Sequence, residues 1–275
     1  MGAVPGAGSR QPLRLTTGSA MDRKPPRATT GPATGRRPLR VTTGPATGAD
    51  RRGKWRVTHL AGPAGDLLSR PPEWTGREVR ICVPERPALV LGSHQTLSGF
   101  DRDAVERSGL DVVRRSSGGG AVLVGPGTVA WADFVLPAGD PLWDADVGRA
   151  GWWLGGLWAE AVAACGLGQP DVWKGPMVNR PLSRLVCFAG LGPGEVTLGG
   201  AKVVGISQRR TRAGVLFQTA AMLEWEPAAY LSLLADAAPP GPEVAARGAL
   251  ETAAAGLGAG SEAPLRSALL GLLMP

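Results

Sequence analysis

From Trp55 onward the chain alternates short apolar runs with clusters of turn-forming residues. WRVTHLAG (55–62) alternates with a period of two and reads as a strand, and AGDLLSR after it begins a short helix. REVRICVPE (77–85) and PALVLGS (87–93) read as two more strands, with Pro84 and Pro87 confining the turn between them. DRDAVERSG (101–109) has charged helical faces and ends at Gly109. DVVRRSS (111–117) is a strand leading into Gly118, Gly119 and Gly120; AVLVG (121–125) continues it, and TVAWADFVLP (128–137) is the next strand. Apolar residues recur at helical spacing over 147–168, where Gly166 supplies the stop. Segments 183–190, 194–200, 201–211 and 214–223 read as four short strands or strand-and-turn units. AAYLSLLA (228–235) opens a helix, and weak helical patterns follow at 243–255 and 262–273. Strands that come in runs between a few helices predict an α+β fold rather than a doubly wound one.

Residues 1–52 break this pattern. Thr-Thr-Gly recurs at 16–18, 29–31 and 42–44, inside Pro/Gly/Thr units almost without large apolar residues. Such units cannot offset the entropy of folding, which predicts a disordered tail. Its bland readings are a solvated tail or a stretch upstream of an internal start at Met21, set against a nucleic-acid-binding arm. The expected organisation is therefore a tail at 1–52, a catalytic-type domain at 55–235 and an Ala/Gly-rich extension at 236–275.

Charge supports that division. The 275 residues carry a net +7. Residues 1–56 hold 12 Lys/Arg against 2 Asp/Glu, a net +10, and the remainder holds 18 against 21, a net −3. The basic character thus belongs to the tail, and no nucleic-acid partner is expected for the folded part. Three cysteines at Cys82, Cys165 and Cys187 have no metal or disulfide spacing, and with two histidines there is no His-based metal motif. No apolar run spans a membrane and no secretory signal opens the chain, so a cytoplasmic protein without a metal site is expected.

Two segments carry candidate chemistry. In Arg114-Arg115-Ser116-Ser117-Gly118-Gly119-Gly120 the glycines let backbone amides approach a ligand, and the arginines supply fork-shaped donors for an anion. The spacing is that of neither a P-loop nor a dinucleotide fingerprint. Considered alone, the segment is equally a glycine-rich hairpin turn. In Gly200-Ala201-Lys202-Val203-Val204-Gly205-Ile206-Ser207-Gln208, Lys202 is the sole lysine after Lys174 and stands among small and apolar residues. A lysine there serves as a point charge or a base, or is simply a solvent-facing strand residue. Trp131, Trp152, Trp153 and Trp158 read as core aromatics rather than pocket walls.

RRSSGGGAV closely resembles the glycine loop of lipoate–protein ligases. KVVGISQRRTRAGVLFQ resembles the segment that follows it in the same proteins, and PALVLGSHQ (87–95) resembles their upstream strand. The resemblance covers about 57–235 and is to the biotin/lipoate ligase and octanoyltransferase superfamily. It implies a mixed, mostly antiparallel sheet domain and an enzyme that attaches a lipoyl-type acyl group to a lysine of a lipoyl carrier domain. The implied carriers belong to 2-oxoacid dehydrogenases or the glycine cleavage protein. Carried onto this sequence, Arg114, Arg115, Ser117, Gly118, Gly119 and Gly120 would bind substrate or nucleotide, with Gly205, Ser207 and Gln208 in the adjoining turn. Lys202 would contact the acyl carboxyl and phosphate. The glycine loop resembles the ligase branch more than the transferase branch, so the leading expectation is a lipoate–protein ligase that activates lipoate, with ATP and Mg as substrates. Cys187, 15 residues before Lys202, resembles the octanoyltransferase branch, in which a cysteine takes the acyl group from acyl carrier protein without ATP. A small buried hydrophobe is the other reading of that cysteine, and a non-catalytic acyl- or biotin-binding relative is the third reading of the chain. Two departures stand out: Gln218-Thr219 where the family often has His-Gly, and Val124-Gly125 where it often has His-Asp.

Overall fold

A computed structural model describes residues 40–44, 54–235 and 243–274, and these fall in one compact unit. The expectation of a disordered tail concerns residues that lie outside this set, apart from 40–44. Those five residues form β1 (Arg40–Gly44), which pairs antiparallel with β2 (Trp55–Gly62). The helix α1 (Ala64–Ser69), β3 (Arg77–Pro84), β4 (Ala88–Leu91), α2 (Arg102–Arg107), β5 (Asp111–Arg114), β6 (Val122–Val124) and β7 (Val129–Pro137) follow close to the positions their apolar periods predict. α2 starts where Asp101 accepts hydrogen bonds from the N–H groups of Asp103 and Ala104, which gives those orphan donors a partner.

The second half contains α3 (Trp152–Ala164), β8 (Pro170–Val172), β9 (Val196–Leu198), β10 (Ala201–Thr211), β11 (Gly214–Met222), α4 (Pro227–Leu231), α5 (Glu243–Ala253) and α6 (Glu262–Leu273). One eight-stranded sheet runs in the order β1-β2-β3-β7-β11-β10-β9-β8, and a three-stranded sheet runs β5-β4-β6. The pairs β2–β3 and β4–β5 are parallel and the others antiparallel, so the sheets are mixed and mostly antiparallel. SRLVCFAG (183–190) does not form a strand. It holds a 3-10 turn at Cys187–Ala189 and a single bridge from Val186 to Ala121, because its polar backbone groups are spent on the glycine loop and on Lys202.

Strand alternation gives the large sheet two different faces. One presents Val79, Ile81, Ala132, Phe134, Val215 and Phe217 to α3 and α6, and buries the edge-on contacts among Trp55, Phe134, Trp153 and Phe217. α6 contributes Leu265, Leu269 and Leu273 to this core, so the C-terminal segment packs into it. The other face presents Leu60, Cys82, Trp131 and Met222 to Val90, Val122 and Val124 of the small sheet. The site described next lies at the end of this second, inter-sheet layer. Among the described residues no helix is long and apolar enough to cross a membrane.

Candidate functional site

The glycine loop is stitched to the segment carrying Cys187, although 66 residues separate Ala121 from it. Ala121 N–H donates to Leu185 O at 2.7 Å, and Cys187 N–H donates to Ala121 O at 2.9 Å. A side chain at Gly120 would meet the backbone of residues 185–187 within 2.9 Å, so glycine is required for this approach. A Cβ at Gly119 would stand 3.6 Å from Cys187 Sγ, which places the thiol against the loop. The N–H groups of Gly118, Gly119 and Gly120 make no hydrogen bond among the described residues. Three donors are thus free beside a thiol.

Arg115 turns part of its guanidinium to the loop itself and lines the apolar cavity described below. It is 6% exposed, and its guanidinium donates to the carbonyls of Val90, Gly118 and Gly120, the last two at 2.6 and 2.9 Å. Its terminal N–H groups thereby shape the loop from below. Arg114 lies exposed at the end of β5, away from the cleft.

Lys202 is turned to the inter-sheet face by a bulge. Register with β9 shifts between Lys202 and Val204, so Lys202 shares a face with Gly205 and Ser207 while Val204 faces the helices. The ammonium is 1% exposed. It donates to Glu195 Oε2 at 2.8 Å, Cys187 O at 3.1 Å and Gly190 O at 3.2 Å, and lies 4.7 Å from the Phe188 ring centroid. Three donors meet three oxygens. Glu195 also accepts from the N–H groups of Gly192 and Ile206.

Two spaces meet at Cys187. A cleft of about 470 Å³ is lined by Gly118 to Gly120, Asn179, Arg184, Lys202 and Gln208. A narrow apolar cavity of about 50 Å³ runs between the sheets, lined by Val90, Val122, Val124, Trp131, Phe188 and Gln218. Cys187, Ile206 and Ser207 line both. A small apolar space and a larger polar cleft thus adjoin at a thiol.

The family model for the lipoyl protein ligase A/B catalytic domain matches residues 67–245. The chain belongs to this family. No protein of curated function matches it in sequence. Similar solved folds include lipoate-protein ligase A bound with ATP, at 17% identity and TM-score 0.54 over 78% of this chain and 81% of that one. Another is a bi-partite lipoate protein ligase of Thermoplasma acidophilum described with its E2 lipoyl domain, at 16% identity and TM-score 0.55 over 78% and 80%. Protein Ta0514 of T. acidophilum with bound lipoic acid is 17% identical, with TM-score 0.53 over 74% of each chain.

In this lipoyl-ligase-family fold, Gly118, Gly119, Gly120, Cys187, Lys202, Ser207 and Gln208 line one cleft. Gly205 passes against the Phe188 ring, and Gln208 ties the rim to Val147 O at 2.8 Å. Ser117 lies beneath, donating to Gln218 Oε1 at 2.7 Å and paired with Ser207 Oγ at 2.8 Å. Trp131 both packs in the core and lines the apolar cavity, because it falls on the inter-sheet face of β7. Trp158 is core: it is fully buried, with its indole N–H on Thr219. Sequence reasoning missed Glu195. It is the sole acidic residue between Asp171 and Glu224, seven residues before the isolated Lys202, and that pairing of rarities was the available signal.

Proposed function

We propose that the protein is an acyltransferase that carries an octanoyl-type group on Cys187 and passes it to a lysine of a lipoyl carrier domain. The supporting observation is the position of Cys187, at the junction of an apolar cavity and a polar cleft, beside the unspent amides of Gly118 to Gly120. The acyl tail enters between the sheets and its thioester carbonyl stops at the thiol. Cys187, as thiolate, attacks that carbonyl; the donor's thiol leaves and takes up a proton. The loop amides stabilise the oxygen that gains charge in the tetrahedral intermediate. The neutral amine of the carrier lysine then attacks the Cys187 thioester, forming the amide and returning the thiol. Lys202 and Glu195 hold the Cys187 carbonyl and the 187–195 backbone in place. Acyl carrier protein is the donor this reading requires, and the relative described with its E2 lipoyl domain supports a lipoyl domain as acceptor.

The cleft supports a second reading, an ATP-dependent lipoate ligase. About 470 Å³ beside three free amides is room for a nucleotide phosphate, and one similar fold is described bound with ATP. In that reading Mg accompanies ATP as substrate. Against it, the Lys202 charge is already matched inside the protein by Glu195.

Intact mass of the full chain decides. Incubation with octanoyl-acyl carrier protein and no ATP is expected to give an octanoyl adduct, labile to hydroxylamine and mapping to Cys187. If lipoate and ATP instead release pyrophosphate, and Cys187→Ala does so equally, the transferase reading fails. If neither reaction occurs while octanoate still binds, the chain is a non-catalytic acyl-binding relative.

A further inference from the structure

The apolar cavity beside Cys187 is too small for an octanoyl tail as it stands. An apolar cavity of roughly 150 Å³ takes one benzene ring, six carbons. The space between the sheets measures about 50 Å³, and an octanoyl group carries seven carbons beyond its carbonyl. A second space of about 300 Å³ lies between the chain that follows α1 and the β10–β11 hairpin, with Arg70, Trp74, Ser116, Arg209 and Leu216 in its walls. The two spaces are successive along one face of the sheet. On β10 Ser207 lines the first and Arg209 the second; on β11 Gln218 lines the first and Leu216 the second. Each pair is two residues apart, roughly 7 Å along a strand. Among the described residues Leu68, near the end of α1, alone lines both spaces.

We propose that Leu68 is the specificity-determining residue for acyl length: its side chain is the partition between the two spaces, and a tail of octanoyl length turns it aside and ends in the second. The polar part of the wall is fixed. Buried Ser117 donates to Gln218 Oε1 at 2.7 Å and meets Ser207 Oγ at 2.8 Å, which ties the glycine loop to both strands. The backbone on either side of Leu68 is held as well. Leu67 is buried, and Gly65 brings α1 so close to β5 that a Cβ there would stand 3.2 Å from Val113 Cγ1. After the helix, the carbonyls of Arg70 and Pro71 accept from Arg80 at 3.0 and 2.8 Å. Leu68 is half-buried at the edge of the inter-sheet core, and its apolar side chain breaks no hydrogen bond on moving. A change of rotamer therefore opens the partition while α1 stays in place.

The walls beyond Leu68 set the other limit. Methylenes placed against Leu68, Trp74 and Leu216 leave water, and each gains affinity as it does. Those that go further meet Arg209, which is exposed, and gain little. A short tail leaves Leu68 in place and stays in the small cavity. A long one extends into a polar space. The arrangement selects a chain of intermediate length, one that displaces Leu68 and stops at Leu216.

The proposal rests on the reading of the inter-sheet cavity as the acyl-tail site, and one family of probes tests both. Propyl, octyl and decyl methanethiosulfonates need neither ATP nor a carrier protein. The Cys187 thiolate attacks the sulfur that bears the alkyl chain, the reagent's S–S bond breaks, methanesulfinate leaves with the electron pair, and an alkyl disulfide remains on Cys187. Intact mass and peptide mapping of the full-length protein give the rate at Cys187, and the octyl-to-propyl ratio cancels changes in the thiol itself. In the parent protein octyl should react roughly tenfold faster than propyl, and decyl no faster than octyl. Leu68→Ala should raise the octyl-to-propyl ratio roughly tenfold further and Leu68→Phe should lower it roughly tenfold, the effect of about two methylenes. The same ratio in all three proteins overturns the role of Leu68 and leaves the cavity reading intact. A parent ratio near one, or no labelling of Cys187 by any of the reagents, overturns the cavity reading and the partition with it. Decyl reacting well above octyl in the parent overturns the limit placed at Leu216.

Discussion

Lys202 and Asp133 are ionisable side chains on the same face of one sheet, 1% and 3% exposed, yet their surroundings are built differently. Around Lys202 every donor has an oxygen, and its partner Glu195 is itself filled by two backbone N–H groups. Around Asp133 the ionised form relies on the Trp131 indole, with a nearby arginine whose charge Glu78 shares. Glu78 shows the consequence of that sharing. Burial raises its carboxyl, but hydrogen bonds from Arg80 and Thr58, with the charges of Arg80 and Arg56, hold it below the usual range. The cation favours Glu78 and leaves Asp133 near neutrality. A buried charge matched group by group acts as a scaffold; one matched mostly by neutral dipoles keeps two accessible states.

The comparison is tested most severely at the closed cluster. Lys202→Met leaves the Glu195 charge buried without its cation, which should cost about 3–5 kcal/mol in denaturant unfolding. Adding Glu195→Gln should recover part of that loss, since the amide oxygen still accepts from a backbone N–H. A single-mutant cost below about 1 kcal/mol would mean the pair is solvated, and the contrast with Asp133 would disappear.

Asp133 should make stability depend on pH. Its folded carboxyl titrates near 7 and its unfolded one near 3.8, so the folded state binds the additional proton between those values. Stability therefore falls as pH rises from about 4 to about 7 and is then level in this contribution. Asp133→Asn removes the dependence. It should be more stable than the parent at pH 8 by up to ~4 kcal/mol, with the advantage fading toward pH 4. Thermal unfolding of both proteins over that range measures it, and parallel curves would break the comparison from its other side.

The two clusters also differ in how far the sequence reveals them. The strands bearing Lys202, Gln218 and Asp133 are legible because β10, β11 and β7 keep their apolar runs, and the glycine loop is legible because three glycines follow two arginines. The pairing of Asp133 with Gln218 is not. Asp133 in VAWADFVLP and Gln218 in GVLFQTA each read as one polar residue in a buried strand, and only register makes them neighbours. The face of Lys202 is likewise hidden, because a bulge one residue later reverses the parity that alternation would assign. Arg115 is legible only in part: its position beside the loop can be read, but not that its terminal N–H groups meet carbonyls of the protein itself.

A smaller loss is expected where the loop meets the closed cluster. Gly120→Ala sets a Cβ 2.8 Å from Cys187 N, so the 185–187 backbone must move away. Overpacking of this kind costs about 1–3 kcal/mol. Acyl loading of Cys187 should fall by more than the stability loss explains, because the thiol shifts from the loop amides. Unfolding and intact-mass kinetics on the same sample separate the two effects, and full loading in Gly120→Ala would remove the loop from the proposed chemistry.

The least effect on stability is expected at Cys187 itself. The backbone of this residue carries the structural connections: its N–H donates to Ala121 O, and its carbonyl accepts from Lys202. Its half-buried side chain makes no hydrogen bond among the described residues. Cys187→Ser should therefore change unfolding free energy by less than about 1 kcal/mol, as for a substitution that leaves no cavity or unpaired group. The same variant should form no hydroxylamine-labile adduct with octanoyl-acyl carrier protein, since a serine hydroxyl without a base is a far weaker nucleophile than a thiolate. Stability retained with loading lost would separate scaffold from chemistry within one residue. A large stability loss would instead make Cys187 a packing residue, and the closed cluster beneath it would support only the fold.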